Sequence, residues 1–428
     1  MILPYRILER KRAGMRLSEE EVREVVRGAT DGSWTEGQLA AFLMAVAIRG
    51  LEVEETRALT HAMLDSGERW RLSDDVPGLC DKHSTGGIGD KTSLVLPFLL
   101  ASCGVPIAML AGRGLGHSGG TMDKLESIPG IEMDLDRGRF IDLIERCGIA
   151  IGGATSGIAP ADRRLYALRD ATATVDSLPL ITGSILSKKL AMGAAAVVFD
   201  VKVGNGAFLP DLESARALAK SLVETSRGLG TVVSALITDM NQPLGRTCGN
   251  ASEVQEGLDC LEGRGPDDLM EVTYRLAEEV SRLVGRPLSR AELEESVSSG
   301  RARERFDLWA ELQGAHPAWL KAPHLPLAPV ERLLLARRPG RLSQVDTRQI
   351  GMLLIEAGAG RFHPHSKVDH GVSLEMRARL GDEVREGDEL ARLWLRHDDD
   401  RLVTRFEECL TVGEEGTAPE LILETIQG

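Results

Sequence analysis

The six cysteines of this chain, Cys80, Cys103, Cys147, Cys248, Cys260 and Cys409, lie far apart. None forms the C-x-x-C pair that zinc or dithiol chemistry needs. Most have apolar neighbours, as buried free thiols in a reducing compartment do. Basic charge is also short, with 51 lysines and arginines against 65 aspartates and glutamates and a net charge of −14. That argues against the broad basic face of a nucleic-acid binder and the polybasic anchor of a membrane-surface protein. An anionic ligand must therefore be held by a local cluster of donors. The N-terminal "MILPYRILERKRAG" is too polar for a signal peptide. The longest uncharged run, 92–112, is broken by Pro97, Gly104 and Pro106. It reads as a buried helix followed by a buried strand, not a membrane span. No repeat or low-complexity tract is present, and the expected location is the cytoplasm.

What is present is a globular composition, 43% hydrophobic and 27% charged, over 428 residues, enough for two or three domains. Residues 18–67 read as three helices. "SEEEVREVVRGA" opens on a capping box, "TEGQLAAFLMAVAIRG" starts at Thr35 and stops at Gly50, and "EVEETRALTHAMLDSG" ends near Gly67. From about Val76 the pattern becomes strand, loop, helix. "TSLVLPFLLASCG" is an apolar helix, "VPIAMLA" a strand, and "TMDKLESI" a short helix capped by Thr121. "AAAVVFDVKV" and "TVVSALITD" are strands flanking the capped helix "DLESARALAKSLVETSRGLG". This alternation implies a mostly parallel sheet with helices on both faces. "APADRRLYALRDATATV" and "PLITGSILSKKLAMG" read as helices that return to the N-terminal ones. After Pro326, short alternating strands carry turns at Gly381-Asp382 and Gly387-Asp388. Their G-D-x-V-x-x-G-D-x-L phrase resembles the hairpins of lipoyl/biotinyl-type barrel-sandwich domains, without the carrier lysine at the tip. The expected fold class is α/β in three parts: an all-helical domain (1–70 with 156–193), a mostly parallel α/β sheet domain (71–155 with 194–335), and a C-terminal α+β domain (336–428).

Three polar stretches carry chemistry. "DKHSTGGIGDKTS", 81–93, packs two lysines, a histidine, four hydroxyls and three glycines into one turn before an apolar helix. Gly86, Gly87 and Gly89 let backbone N–H groups approach a ligand, and Lys82, Ser84 and Ser93 add a charge and hydroxyls, which makes an anion cradle. It matches neither the Walker loop nor G-x-G-x-x-G, and such a turn alone is as often only a turn. "AGRGLGHSGGTMDKLE", 111–126, is a second glycine-rich loop ending at a helix with Thr121 at its start. Both loops follow strands, so a parallel sheet gathers them at its carboxyl edge, where ligands bind. In "YALRDATATVDSLPLITGSILSKK" the candidates are Arg169, Ser184, Lys188 and Lys189, with Ser184 and Lys188 on one helix face. Taken alone, that stretch reads as a solvated helix face.

Together, "KHSTGGIGD", "GRGLGHSGGTMDKLES", "LYALRDATATVDSLPLI", "SKKLA" and "DVKVGNGAF" closely resemble the thymidine phosphorylase and pyrimidine-nucleoside phosphorylase family, in order and over nearly the whole chain. The resemblance implies attack of inorganic phosphate on the anomeric carbon of a pyrimidine (deoxy)nucleoside, giving free base and (2-deoxy)ribose 1-phosphate. By position, Lys82, Ser84, Ser93 and Thr121 match phosphate ligands. His83, Arg169, Ser184 and Lys188 match pyrimidine ligands, and Tyr166 and Phe208 line the base pocket. His83, Arg169 and Lys188 are the catalytic candidates. Arg169 and Lys188 would meet negative charge developing on the base carbonyls. His83, as an ordinary imidazole titrating near pH ~6.5, would give or share a proton with one of them. No metal or organic cofactor is implied. The partners implied are phosphate and a pyrimidine nucleoside, with no nucleic acid and no membrane, and a homodimer formed through the helical domain.

This chain departs from that pattern in three places. Ala111 stands where the family usually has a serine before G-R-G, so a phosphate hydroxyl is missing; Ser118 replaces a threonine and keeps the hydroxyl. Lys91 stands where potassium-binding members have threonine, and its ammonium is expected to replace that ion and pair with Glu256, near Gly89, Leu244 and Thr247. Met109 matches thymidine-selective members and tilts the reading toward deoxynucleosides. His117 is as well placed to brace the second loop as to bind. Arg113 and Asp123 are expected to brace it. His363, His365 and His370 read as a solvated loop, not a metal triad, and Trp34 and Trp70 as packing residues. The alternatives are glycosyl transfer of the anthranilate phosphoribosyltransferase kind, which would need magnesium, and a non-catalytic nucleoside- or phosphate-binding protein.

Overall fold

The computed structural model describes residues 2–114, 119–361 and 366–428. Helices α1 (Pro4–Arg12), α2 (Glu19–Asp31), α3 (Glu36–Arg49) and α4 (Val53–Asp65) open the chain. The capping boxes at Ser18 and Thr35 form as read: each hydroxyl accepts the N–H three residues on, and the Glu21 or Gln38 side chain accepts the cap's own N–H. α1 was not anticipated, because only Ile7 and Lys11 of its nine residues are buried and its apolar stripe is thin.

The chain then enters the sheet. α5 (Leu72–Asp75) leads to β1 (Cys80–Ser84), followed by α6 (Leu96–Ser102), β2 (Ile107–Ala111), α7 (Thr121–Leu125), α8 (Arg137–Cys147) and β3 (Ile149–Gly153). α9 (Pro160–Ala171) and α10 (Leu178–Met192) return to the first four helices, where Ala161, Leu165 and Leu180 share a core with Trp34, Phe42 and Leu59. β4 (Ala196–Val203), α11 (Leu212–Ser226) and β5 (Val232–Asp239) complete the parallel part. Five parallel strands stand in the order β5-β4-β1-β2-β3. After β1 the chain builds outward to β2 and β3, then crosses back to β4 and β5 on the other side. The order therefore reverses beside β1, the place where an open parallel sheet leaves a crevice at its carboxyl edge.

Helices cover both faces, as buried parallel strands require. β6 (Thr247–Gly249) is followed by α12 (Ala251–Leu261), α13 (Asp267–Leu283), α14 (Arg290–Ser298), α15 (Arg301–Leu312) and α16 (Pro317–Lys321). On one face Phe98, Leu276, Phe306 and Trp309 join the core; on the other, Phe140, Leu186, Phe199 and Leu222 do.

The C-terminal unit is α+β. It comprises β7 (Val330–Leu335), β8 (Gly340–Val345), α17 (Thr347–Glu356), β9 (Ser373–Met376), β10 (Glu383–Val384), β11 (Glu389–Leu395), α18 (Asp400–Glu408) and β12 (Leu410–Gly413). Its sheets run β10-β8-β12 and β6-β9-β11-β7. Two strands it uses, β6 and β7, lie in the span expected for the sheet domain. Its last segment, β13 (Ile422–Gln427), departs in the other direction and pairs antiparallel with β5. Strand pairing thus crosses both ends of the unit expected over 336–428. The open edges of β5 and β9 need backbone partners, and segments remote in sequence supply them.

Candidate functional site

The first glycine-rich loop leaves β1 at the reversal point. Register pairs His83 with Phe199 and Ser84 with Asp200 across β1 and β4. The Lys82 side chain is buried, and its Nζ donates to Thr92 Oγ1 at 2.6 Å and Ser93 Oγ at 3.2 Å, with Asp200 at 3.8 Å. Burial and the ammonium groups of Lys202 and Lys189 lower its pKa, while Asp90 and Asp200 oppose this. Ser84 accepts the Gly86 N–H at 3.1 Å, and its hydroxyl also bonds Asp90. Burial works against the charge on Asp90, but Lys82, Lys202 and Lys124 together hold its pKa below the usual carboxylate range. Gly89 has φ +70°, and a Cβ there would sit 3.0 Å from the Leu244 carbonyl, so this turn requires glycine.

The second loop reaches the same edge from β2. α7 starts at Thr121, but the residue before its first turn is Gly120. Thr121 is already helical and makes no capping bond, contrary to the sequence reading, which leaves its hydroxyl for other partners. A Cβ on Gly120 would lie 2.2 Å from Gly114 N, so only glycine lets the loop close on itself. Arg113 and Asp123 brace it: Gly114 N donates to Asp123 Oδ2 at 2.6 Å, and Arg113 makes a fork to Glu126 at 2.7 Å. Lys124 ties this loop to the first, its Nζ donating to Asp90 O at 2.6 Å and pairing with Glu253 at 2.6 Å. His117 and Ser118 lie outside the described residues, as do His363 and His365.

The candidate base-binding half comes from α9 and α10. Ser184 Oγ donates to Asp162 Oδ2 at 3.0 Å, and Lys188 Nζ pairs with the same oxygen at 2.7 Å and donates to Ser184 Oγ at 3.2 Å. Asp162 is buried, whereas Lys188 keeps 37% of its side chain exposed. Asp162 was missed by the sequence reading; an acidic residue in the first turn of a helix is common as a dipole partner and gives no site signal by itself. Arg169 is buried and donates to the main-chain oxygens of Thr174 (3.4 Å), Leu180 (3.1 Å) and Val175 (2.6 Å). Of its five N–H donors, these use three, so it first holds the α9–α10 connection and has two left for a ligand. Tyr166 lies between the cations, its ring centroid 5.3 Å from Arg169 Cζ and 5.9 Å from Lys188 Nζ. Phe208 is 44% exposed on the turn after β4, where Ala207 bridges Gly87 of the first loop.

His83 follows Lys82 on β1, its ring edge-on to Phe199 at 5.9 Å. Burial, then the positive charges of Lys189, Lys82 and Lys188, drive its pKa well below 6.5. This shift favours the neutral ring over the imidazole titrating near neutrality expected from the sequence, and a neutral ring offers one N–H donor and one acceptor. Beneath it, Lys189 donates to Asp81 at 3.1 Å and to the main-chain oxygens of Lys82 and Leu110. Desolvation raises the Asp81 pKa to about 6, against the pull of Lys189. Lys202, also missed, pairs with Asp200 at 2.8 Å and donates to Thr238 at 3.0 Å.

Lys91 is fully buried. Its Nζ donates to Leu244 O (2.6 Å), Thr247 O (2.9 Å) and Glu256 (2.6 Å). Met109 is 3% exposed and packs in the core. Ala111 ends β2, paired with Gly153. Among the described residues, no group of histidine, cysteine, aspartate and glutamate side chains could hold a metal ion, and no helix is long and apolar enough to cross a membrane.

Comparison with known proteins adds to this geometry. A family model described as "Glycosyl transferase family, helical bundle domain" matches residues 5–67, and "Glycosyl transferase family, a/b domain" matches 76–303. "Pyrimidine nucleoside phosphorylase C-terminal domain" matches 341–413. The chain is 46% identical to the thymidine phosphorylase of Rhizobium meliloti (strain 1021), over 91% of this chain and 90% of that one. It is 41% identical to the pyrimidine-nucleoside phosphorylase of Geobacillus stearothermophilus, over 98% and 99%. Among solved structures, anthranilate phosphoribosyltransferase from Thermus thermophilus has the same fold, with a TM-score of 0.57 at 20% identity, covering 74% of this chain and 99% of that one.

Proposed function

The chain belongs to the family of thymidine and pyrimidine-nucleoside phosphorylases, and on that premise we propose that it catalyses reversible phosphorolysis of pyrimidine (deoxy)nucleosides, thymidine foremost, to free base and (2-deoxy)ribose 1-phosphate. The observation that carries this reading is the position of His83. It stands on β1 between Lys82 and Ser84 of the anion cradle, and α10, which carries Lys188, meets that strand where Lys189 donates to Lys82 O at 3.3 Å, so the strand of the cradle adjoins the helix of the base-binding half.

In this reading, phosphate rests on Lys82, Ser84, Ser93 and Thr121 and attacks the anomeric carbon as the bond to the base nitrogen breaks. The electron pair leaves on the base. Lys188, held by Asp162, and the free donors of Arg169 stabilise charge developing on the base carbonyls. Neutral His83 donates its N–H to one of those oxygens and does not act as an imidazolium acid. Tyr166 and Phe208 flank the ring. Closure of the helical unit onto the sheet would bring the two halves together. Thymidine is put first because the relative at 46% identity bears that name; Met109, being buried, adds little to the choice. We also infer a cytoplasmic homodimer formed through the helical unit, whose exposed Leu3, Tyr5, Met44 and Ile48 suit a covered face.

The test is release of free base from thymidine, deoxyuridine and uridine in parallel, with and without phosphate and without added magnesium. Phosphate-dependent release is expected, and the pattern across substrates separates a deoxynucleoside-selective enzyme from a broad one. Nucleoside binding without release in any condition would overturn the reading.

A further inference from the structure

The fold shared with the solved neighbour is complete in a shorter chain, since 74% of this chain covers 99% of that one. About a quarter of this chain thus lies outside the shared fold, and the C-terminal unit, matched by a domain model of its own over 341–413, makes contacts with the site that call for an explanation. One contact reaches the second glycine-rich loop. Arg361, just after α17, extends its guanidinium to Asp123 Oδ1, with Nη2 3.8 Å from Glu126. The segment carrying it is anchored on the sheet side, where Asn250 Nδ2 donates to Ala359 O at 2.8 Å.

Asp123 has two oxygens with different tasks. Oδ2 accepts the Gly114 N–H and closes the loop, while Oδ1 faces Arg361. The loop's own Arg113 does not replace Arg361. Its fork is taken by Glu126, it stands 3.4 Å from Asp123, and its side chain is 44% exposed. Asp123 is only 6% exposed, so without Arg361 its charge would be buried with only the Gly114 N–H and the longer 3.4 Å contact to the half-exposed Arg113 as partners. Asp123 lies two residues after Thr121 and one before Lys124, which grips the first loop at Asp90 O. The position of Asp123 therefore bears on both loops of the anion cradle.

We propose that Arg361 is a positioning residue through which the C-terminal unit sets the second glycine-rich loop for phosphate; this rests on the phosphate assignment of that loop given above. Arg361 is not expected to touch substrate. The experiment compares R361Q and R361K with the wild type, and with R337Q as a control on the same unit, since Arg337 is largely exposed and pairs with Glu407. R361Q is expected to raise the phosphate KM about tenfold, the loss of one charge-assisted contact. Its nucleoside KM should stay within about twofold, and R361K should recover much of the loss. An unchanged phosphate KM in R361Q, or equal rises in both KM values, would overturn the proposal. If R361Q does not fold, R361Q/D123N removes both charges and is measured instead; a wild-type phosphate KM in that double variant also overturns it. Thermal protection by inorganic phosphate, measured without nucleoside, is a second readout. If wild type is protected by phosphate but releases no base, the phosphorolysis reading fails, and weaker protection of R361Q still decides the role of Arg361.

Discussion

Burial and the positive charges of Lys189, Lys82 and Lys188 act on His83, and this changes what an imidazole can do there. Its folded-state pKa lies well below the ordinary value, so the ring should be neutral at pH values around and above the ordinary ~6.5. A histidine titration followed by NMR is expected to show no protonation of His83 in that range, and an inflection near pH ~6.5 assigned to it would refute this. The linkage has a definite sign. A depressed folded pKa contributes stability that is present above the unfolded pKa of about 6.5 and is lost as pH falls below it. Ala111 is the other residue-scale lever. A serine there would restore a hydroxyl at the end of β2, and a hydrogen bond to a charged group is worth about 1.5–3 kcal/mol. A111S is expected to lower the phosphate KM by about tenfold or more, read from a phosphate titration; no change would mean that the hydroxyl does not reach the anion.

At the scale of elements, the first loop is held from behind by one internal cation. Lys91 joins it to the 244–247 segment through two carbonyls and Glu256. Burial disfavours charge on both partners, yet their attraction leaves Lys91 raised and Glu256 lowered. Activity is therefore expected to be the same in potassium and in sodium, and strong activation by potassium would refute a tethered ammonium in that role. Removing one partner of a buried pair costs about 3–5 kcal/mol. K91M should lower the denaturation midpoint markedly, and adding E256Q should recover part of the loss. A single variant as stable as wild type would show that the pair contributes little.

At the scale of the whole molecule, the last strand closes the main sheet. β13 caps the edge of β5, and Arg216 holds Glu424 at 2.7 Å. A chain ending at Glu420 would leave the β5 edge unpaired, a template for association. The expected outcome is a lower melting temperature and concentration-dependent aggregation by light scattering. A truncated protein that stays monodisperse and as stable as the full chain would show that the edge needs no cover.

The helical opening, the parallel strands and the two glycine-rich loops were legible because each rests on local rules: capping boxes at Ser18 and Thr35, β-branched runs such as "AAAVVFDVKV", and glycines where φ is positive, as at Gly86 and Gly89, or where backbone approaches backbone, as at Gly120. The grouping of Lys82 with Ser93, and of Ser184 with Lys188, was also within reach, since their spacings are short. Asp162, Arg361 and β13 were not, because their partners lie 22 to 238 residues away in sequence; nor was Lys202, whose ion pair with Asp200 is local but whose bond to Thr238 spans 36 residues. Residue types and their local spacing were determined by the sequence alone. The lowered pKa of His83, the commitment of Arg169 to main-chain carbonyls and the reach of the C-terminal unit into the second loop were decided only by tertiary structure. Burial and the field of distant charges depend on which segments the fold brings together, and no local pattern records that.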